Sequence, residues 1–213
     1  MSRTLNGIVA VCPDMGIGRK GHLPWHPKKL RKELKYFQKM TMTTTVQGRE
    51  NVVIMGRKTW FSIPESNRPL PDRINIVLSR NLRYPPAGAH YSASDFGSAL
   101  HLLDTSELAG KVDQVWIIGG SCLYKELMES SHHQRLFVTR VLQQFHCDMF
   151  MPTISLDKYQ LLPDRHFSPK RRTSHRKYNV FITLAERYSC RRVILKCSSF
   201  VSFCHEPIFI TLS

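Results

Sequence analysis

The 213-residue chain is 42% hydrophobic and 10% aromatic, and its 31 lysines and arginines against 16 acidic residues give a formal net charge of +15. That length and apolar content suit one globular domain with a sizeable core, and no apolar run reaches the ~18 residues that a membrane-spanning helix needs. The positive balance points to an anionic partner: a phosphorylated cofactor, a polyanionic small substrate or nucleic acid. Six cysteines (Cys12, Cys122, Cys147, Cys190, Cys197 and Cys204) include no C-x-x-C pair. This reads as a reduced intracellular chain with no metal centre, and the opening MSRTLNG has no apolar core of a secretory signal.

In chain order, the first expected strand is LNGIVAV at 5–11. Gly16, Gly18 and Gly21 follow as G-x-G-x-x-G, the spacing of a dinucleotide-binding fingerprint. That fingerprint requires a helix opening directly from the glycines. His22-Leu23-Pro24-Trp25-His26-Pro27 comes instead, and its two prolines predict an extended loop. A glycine-rich loop able to close over a ligand is the better reading.

A helix is expected over 28–40, with Leu30, Leu34 and Phe37 at helical spacing. NVVIM at 51–55 is a strand ending in Gly56-Arg57-Lys58-Thr59, followed by a short helix at 58–63 and a proline-marked loop at 64–71. INIVL at 74–78 is a strand ending in Ser79-Arg80; a loop at 85–88 and a helix at 96–103 follow. QVWII at 114–118 runs into Gly119-Gly120-Ser121 and a helix at 121–128, and LFVTRVL at 136–142 is the next strand. The strands are short, rich in Val and Ile, and lack polar alternation, as in a parallel sheet covered on both faces. Strands alternating with helices make the fold class α/β. Three of these strand ends carry glycines, hydroxyls or cations. Taken singly each is a basic surface turn; together they make an anionic nucleotide site, because open α/β sheets bind ligands at that edge.

Beyond 162 the character changes. Lys170-Arg171-Arg172 and His175-Arg176-Lys177 form a basic stretch, YNVFITL at 178–184 is a final strand, and 187–213 is a cysteine-bearing tail without clear period. The tail is too broken for a membrane span and too apolar for an ordinary disordered segment.

The blocks MGIGRKGHLPW at 15–25, VIMGRKTWFSIP at 53–64, NRPLPDRINIVLSR at 67–80, VWIIGGSCLYKE at 115–126 and LFVTRV at 136–141 together resemble the dihydrofolate reductase family, the vertebrate type most closely, in order and spacing over 5–186. The resemblance implies a single domain at 1–186 with a mostly parallel eight-stranded sheet, an antiparallel C-terminal strand and flanking helices, plus an extension at 187–213. It implies NADPH as cofactor, and hydride transfer to C6 and proton transfer to N5 of 7,8-dihydrofolate. The product, tetrahydrofolate, serves one-carbon metabolism and thymidylate synthesis. Antifolates such as methotrexate are implied ligands. The reading is a cytoplasmic monomer without a transmembrane segment, open to nuclear entry and to nucleic-acid contact through its basic surface.

Glu33 is the only carboxylate in 28–40 and lies one helical turn before Phe37. By resemblance it binds the amidine-like edge of the pterin in bidentate fashion, with a water carrying the proton to N5. Leu23, Tyr124 and Thr139 complete the implied catalytic set. The implied substrate pocket is Ile8, Val9, Ala10, Leu34, Phe37, Gln38, Ile63, Leu70 and Ile118, with Asn67 and Arg73 for the p-aminobenzoyl-glutamate tail. For NADPH the resemblance implies Ala10, Gly16, Ile17, Gly18, Gly21 and His22 around nicotinamide and ribose. Arg57, Lys58 and Thr59 fall at the phosphates, and Leu78, Ser79 and Arg80 near the 2′-phosphate. Gly119, Gly120, Ser121, Cys122, Leu123 and Tyr124 fall at the pyrophosphate and nicotinamide.

The chain departs from the vertebrate pattern in three places. The segment between Trp25 and Glu33 is two residues longer, Leu34 stands where Phe is usual, and residues 92–94 lack a basic residue. Two rival readings are a pyrimidine reductase of riboflavin synthesis on the same fold, and a nucleic-acid-binding or host-interaction protein that keeps the fold without the chemistry.

Overall fold

The structure, a computed structural model, describes residues 3–162 and 180–187. The basic stretch at 170–177, Tyr178 and the tail from 188 onward, with Cys190, Cys197 and Cys204, lie outside the described residues. Six strands form the parallel part of the main sheet: β1 (Leu5–Val11), β3 (Glu50–Gly56), β4 (Arg73–Leu78), β5 (Tyr91–Ala93), β6 (Val112–Ile117) and β7 (Gln134–Val141). Their spatial order is β5-β4-β3-β6-β1-β7. Beyond β7, β10 (Val180–Arg187) adds antiparallel, from Val180 opposite Val141 to Glu186 opposite Arg135, and β9 (Tyr159–Leu161) pairs antiparallel with β10. A separate antiparallel pair joins β2 (Gly16–Gly18) to β8 (Met149–Phe150).

The central strands are buried along nearly their whole length, as in β3, where Val52, Val53, Ile54 and Met55 all have no exposed surface. A strand covered on both faces has no reason to alternate. Successive side chains therefore enter different clusters. Val52, Ile54, Val9 and Tyr124 belong to one; Val53, Met55, Ile8 and Trp116 belong to the other. Helices α1 (Arg31–Met42), α2 (Arg57–Ser62), α3 (Phe96–Leu103) and α4 (Ser121–Glu129) flank the sheet. Asp95 caps α3 by accepting from the Ser98 N–H at 2.8 Å.

The expected strand at 5–11 and helix at 96–103 coincide with the observed ones, and the other central strands shift by one or two residues at an end. The final strand reaches Arg187 rather than 184. The helix expected from 28 begins only at Arg31. Turns with His26 N–H donating to the Leu23 carbonyl at 2.9 Å and Lys28 N–H to the Trp25 carbonyl at 2.8 Å occupy the preceding residues. Leu30, with ψ of 80°, is still outside helical space. Four short strands, β2, β5, β8 and β9, were not anticipated; at two or three residues each they are too short to show a period.

Candidate active site

No helix opens from the glycines, as expected, but only Gly16–Gly18 of the loop is extended, and the proline segment at 24–27 folds into turns instead. β2 leads into a two-residue turn in which Arg19 and His22 exchange backbone hydrogen bonds at 2.8 and 3.0 Å. Lys20 and Gly21, with φ of 48° and 80°, take its two central positions. Both positive values mark a type I′ hairpin turn, so no helix N-terminus faces a pyrophosphate here.

The three other suspected turns come together at one sheet edge. β3 lies between β4 and β6, with Gly56 opposite Leu78 and the Gly56 N–H donating to the Gly119 carbonyl at 2.8 Å. Ser79-Arg80, Arg57-Lys58-Thr59 and Gly119-Gly120-Ser121 are thus neighbours although Arg80 and Gly119 lie 39 positions apart in the sequence. Arg57, Lys58 and Arg80 are exposed. Gly119 has φ of +115°, and a Cβ there would meet the Tyr124 ring and hydroxyl at 3.4 Å and the Thr59 hydroxyl at 3.6 Å. The backbone needs glycine at this point for its dihedral.

α4 opens from this turn. Its first intrahelical bond is Tyr124 N–H to the Gly120 carbonyl at 3.0 Å, which leaves the N–H groups of Ser121, Cys122 and Leu123 as the free donors of the first turn. The Ser121 hydroxyl is buried and has no protein partner. A buried hydroxyl left unpaired costs free energy, so this atom suits a ligand oxygen. The glycine cradle, the free N–H groups and the exposed cations fit a phosphorylated dinucleotide.

Ile8, Phe37, Ile63, Leu70 and Ile118 join one cluster with Trp60 and Trp116. Five expected pocket residues are therefore brought together by four different segments. Ala10 packs with Trp25 and Leu30 in a third cluster. Val9 does not join the five; its side chain lies in the cluster of Leu123 and Tyr124, because neighbouring residues of β1 point to opposite faces. Leu78 and Ile17 pack against that same cluster. Leu23 and Leu34 are the most exposed of the expected apolar set, at 46% and 36%. Gln38 and Asn67 are exposed as well.

Glu33 lies in the first turn of α1. It retains some accessible surface, yet burial pushes its carboxyl up to about 7. The Tyr124 hydroxyl donates to the Ile8 carbonyl at 2.7 Å. Burial first, then the negative charge of Glu33, raises its pKa, which places tyrosine and carboxylate in one electrostatic neighbourhood. Thr139 is buried on β7, opposite Ala10 in the ladder. Arg73, 2% exposed, donates from Nε to the Pro71 carbonyl at 2.8 Å and from Nη1 to the Thr41 hydroxyl at 2.7 Å. Its guanidinium carbon stands 5.9 Å from the Phe37 ring centroid.

A family model described as dihydrofolate reductase matches residues 4–186. This chain belongs to the dihydrofolate reductase family. Among relatives, the dihydrofolate reductase of Mus musculus is 61% identical over 164 residues, covering 77% of this chain and 87% of that protein. The viral dihydrofolate reductase of Saimiriine herpesvirus 2 is 56% identical over 158 residues, covering 74% and 73%. The solved Schistosoma mansoni dihydrofolate reductase superposes with a TM-score of 0.75 at 32% identity, covering 88% of this chain and all of that one. The dihydrofolate reductase blocks read from the sequence are therefore the family's own, and the protein is an NADP-type oxidoreductase by membership. Among the described residues no helix is long and apolar enough to cross a membrane.

Two features escaped the sequence reading. Thr41 is fully buried and anchors Arg73. Asn51 donates to the carbonyls of Thr41 and Thr43 at 3.0 and 2.9 Å and accepts from the Gln114 N–H at 3.1 Å, joining α1, β3 and β6. Buried polar residues inside an apolar strand are the available signal, and Asn51 heads NVVIM as one.

Proposed function

We propose that the protein reduces 7,8-dihydrofolate to 5,6,7,8-tetrahydrofolate with NADPH, and that Glu33 is its central substrate-binding and proton-handling residue. The observation that carries this is the Glu33 carboxyl, which burial pushes up to about 7 and whose charge reaches Tyr124. Such a group both pairs with an amidine-like pterin edge and exchanges a proton near neutral pH.

When bound, NADPH supplies the hydride that goes to C6. The protein's own groups do the rest. Glu33 orients the pterin and passes a proton toward N5 through a water rather than directly, with Thr139 supporting it. Tyr124, fixed by its bond to the Ile8 carbonyl, and Leu23, exposed beside the glycine loop, border the reacting ring. Ile8, Ala10, Leu34, Phe37, Gln38, Ile63, Leu70 and Ile118 form the pterin and benzoyl pocket, and Val9, whose side chain faces the other side of the sheet, is not part of it. Asn67 and Arg73 hold the glutamate tail. For the cofactor, residues 119–123 receive the pyrophosphate on the free N–H groups of α4 and the Ser121 hydroxyl. Arg57, Lys58 and Thr59 meet the phosphates, Ser79 and Arg80 with Leu78 meet the 2′-phosphate, and the loop from Gly16 to His22 closes over the ribose.

The scaffold we assign is the family's eight-stranded sheet, six parallel strands with β10 and β9 beyond them, in a domain that runs through Arg187, one residue past the expected boundary; residues 188–213 are a non-catalytic appendage. The protein acts as a cytoplasmic monomer and admits nuclear entry. Its net charge of +15 leaves room for an added contact with nucleic acid, which steep salt dependence of binding would reveal. Ligand protection tests the substrate: methotrexate should raise the melting temperature strongly, and a riboflavin precursor should not. The reverse order would favour a pyrimidine reductase.

A further inference from the structure

No sequence spacing joins Cys12 to Cys147, yet the fold brings their sulfurs to 3.8 Å across 135 residues. Cys12 directly follows β1; Cys147 lies between β7 and β8. The Asp14 carboxylate lies beside them, and the three ligand atoms fall within 4.8 Å of one another. Two zinc–sulfur bonds of ~2.3 Å at a tetrahedral angle put their sulfurs ~3.8 Å apart. A disulfide needs ~2.05 Å; here the Cys147 thiol donates to the Cys12 sulfur at 3.8 Å, a separation that an ion could bridge with the sulfurs left in place.

The carboxylate is already oriented. Asp14 Oδ1 accepts from the Gly16 N–H at 3.0 Å and Oδ2 from Gln144 Nε2 at 2.7 Å, the kind of outer hydrogen bonds that hold a ligating group in place. The loop is pinned by the Cys12 N–H donating to the Gly16 carbonyl at 2.8 Å and the Met15 N–H donating to the Cys12 carbonyl at 2.9 Å. Gly16 makes the room: a Cβ there would come within 2.2 Å of the Cys147 sulfur and 2.9 Å of Asp14 Oδ1. Cys12 closes the site from inside at 1% exposure, Cys147 is half-buried and Asp14 is exposed, so an ion has a way in.

We propose that Cys12, Asp14 and Cys147 form a binding site for a borderline-soft divalent metal of the zinc class, with the fourth position taken by water. Binding replaces two thiol protons, which leave to solvent, and moves no electrons. The ion would tie the end of β1 to the β7–β8 connection, with Asp14 two residues before β2, which opens the glycine loop.

The test uses the full reduced chain. Zinc chloride is added, free metal removed, and bound zinc counted per chain in the parent and in Cys147→Ser and Cys12→Ser, since the other cysteines also carry thiols. Each variant should hold about one zinc less, and should lose a thiolate-to-cobalt absorption band when cobalt replaces zinc. Asp14→Asn should weaken retention against a chelator at least tenfold. Metal-free Cys147→Ser should keep its reductase rate within about twofold. If the buried Cys12→Ser fails to fold, Cys147→Ser alone decides. Unchanged zinc content in Cys147→Ser overturns the proposal. So does a Cys12–Cys147 disulfide in a chain that takes up no zinc there.

Discussion

Arg73 donates to the Thr41 hydroxyl at 2.7 Å, tying the start of β4 to the last turn of α1. Thr41 in turn donates to the Phe37 carbonyl at 2.8 Å. Burial lowers the Arg73 pKa, only partly offset by Asp72, so the guanidinium depends on its hydrogen-bond partners. Thr41→Val keeps the shape and removes the acceptor. It should cost about 1–3 kcal/mol, at about 2–4 °C of melting temperature per kcal/mol for a chain of this size. The KM for dihydrofolate should rise while that for NADPH barely moves. Parent melting behaviour and parent KM would show that Thr41 does not position Arg73.

Glu33 makes stability depend on pH with a definite sign. Burial raises its carboxyl from 4.5 to about 7. Between these values the folded chain keeps a proton that the unfolded chain has lost, so unfolding becomes easier as pH rises. The Glu33 contribution is complete below about 4.5, is lost on the way to about 7, and is flat above. Melting curves across that window should slope less steeply in Glu33→Gln than in the parent. Identical slopes would mean that the carboxyl titrates normally in the folded chain.

Ser121 separates ligand binding from folding. Its buried hydroxyl has no protein partner, so Ser121→Ala should leave the ligand-free chain as stable as the parent or slightly more so. The KM for NADPH should rise roughly twofold to tenfold, the worth of one hydrogen bond. Arg80→Ala should instead shrink the preference for NADPH over NADH, on the order of a hundredfold in the parent from two charge-assisted contacts. A Ser121→Ala chain that melts early but binds NADPH normally would make the hydroxyl structural.

Much of the fold was legible because burial on both faces leaves an unmistakable trace: LNGIVAV, NVVIM, INIVL and QVWII admit few alternatives as central strands. Rejecting the G-x-G-x-x-G fingerprint rested on Pro24 and Pro27, and the Arg19–His22 turn agrees. Helix starts were less legible, since Leu30 is apolar and spaced like a helical residue yet precedes the helix. Side-chain direction was lost too: Ile8 and Val9 read alike, but the pleat sends them to opposite faces. Pairings between distant residues, Thr41 with Arg73 or Cys12 with Cys147, leave no local pattern at all.

The domain boundary is tested by truncation after Arg187, which keeps the β10 ladder through Arg187 opposite Tyr159. Dihydrofolate reduction should stay within about threefold of the full chain, a barrier change below about 1 kcal/mol. Solubility should improve as apolar side chains and three cysteines leave. An insoluble truncation beside a soluble, active full chain would make the tail part of the core.

The proposed reaction depends on Glu33, and the loss of NADPH absorbance with dihydrofolate, followed in the parent and in Glu33→Ala, reads that dependence. The parent should turn over, and methotrexate should stop it. Glu33→Ala removes two charge-assisted hydrogen bonds of roughly 1.5–3 kcal/mol each, so kcat/KM should fall at least about a hundredfold. A parent that oxidises no NADPH with dihydrofolate would show that this is not its reaction, and a Glu33→Ala chain that works at the parent rate at neutral pH would show that Glu33 does not carry it.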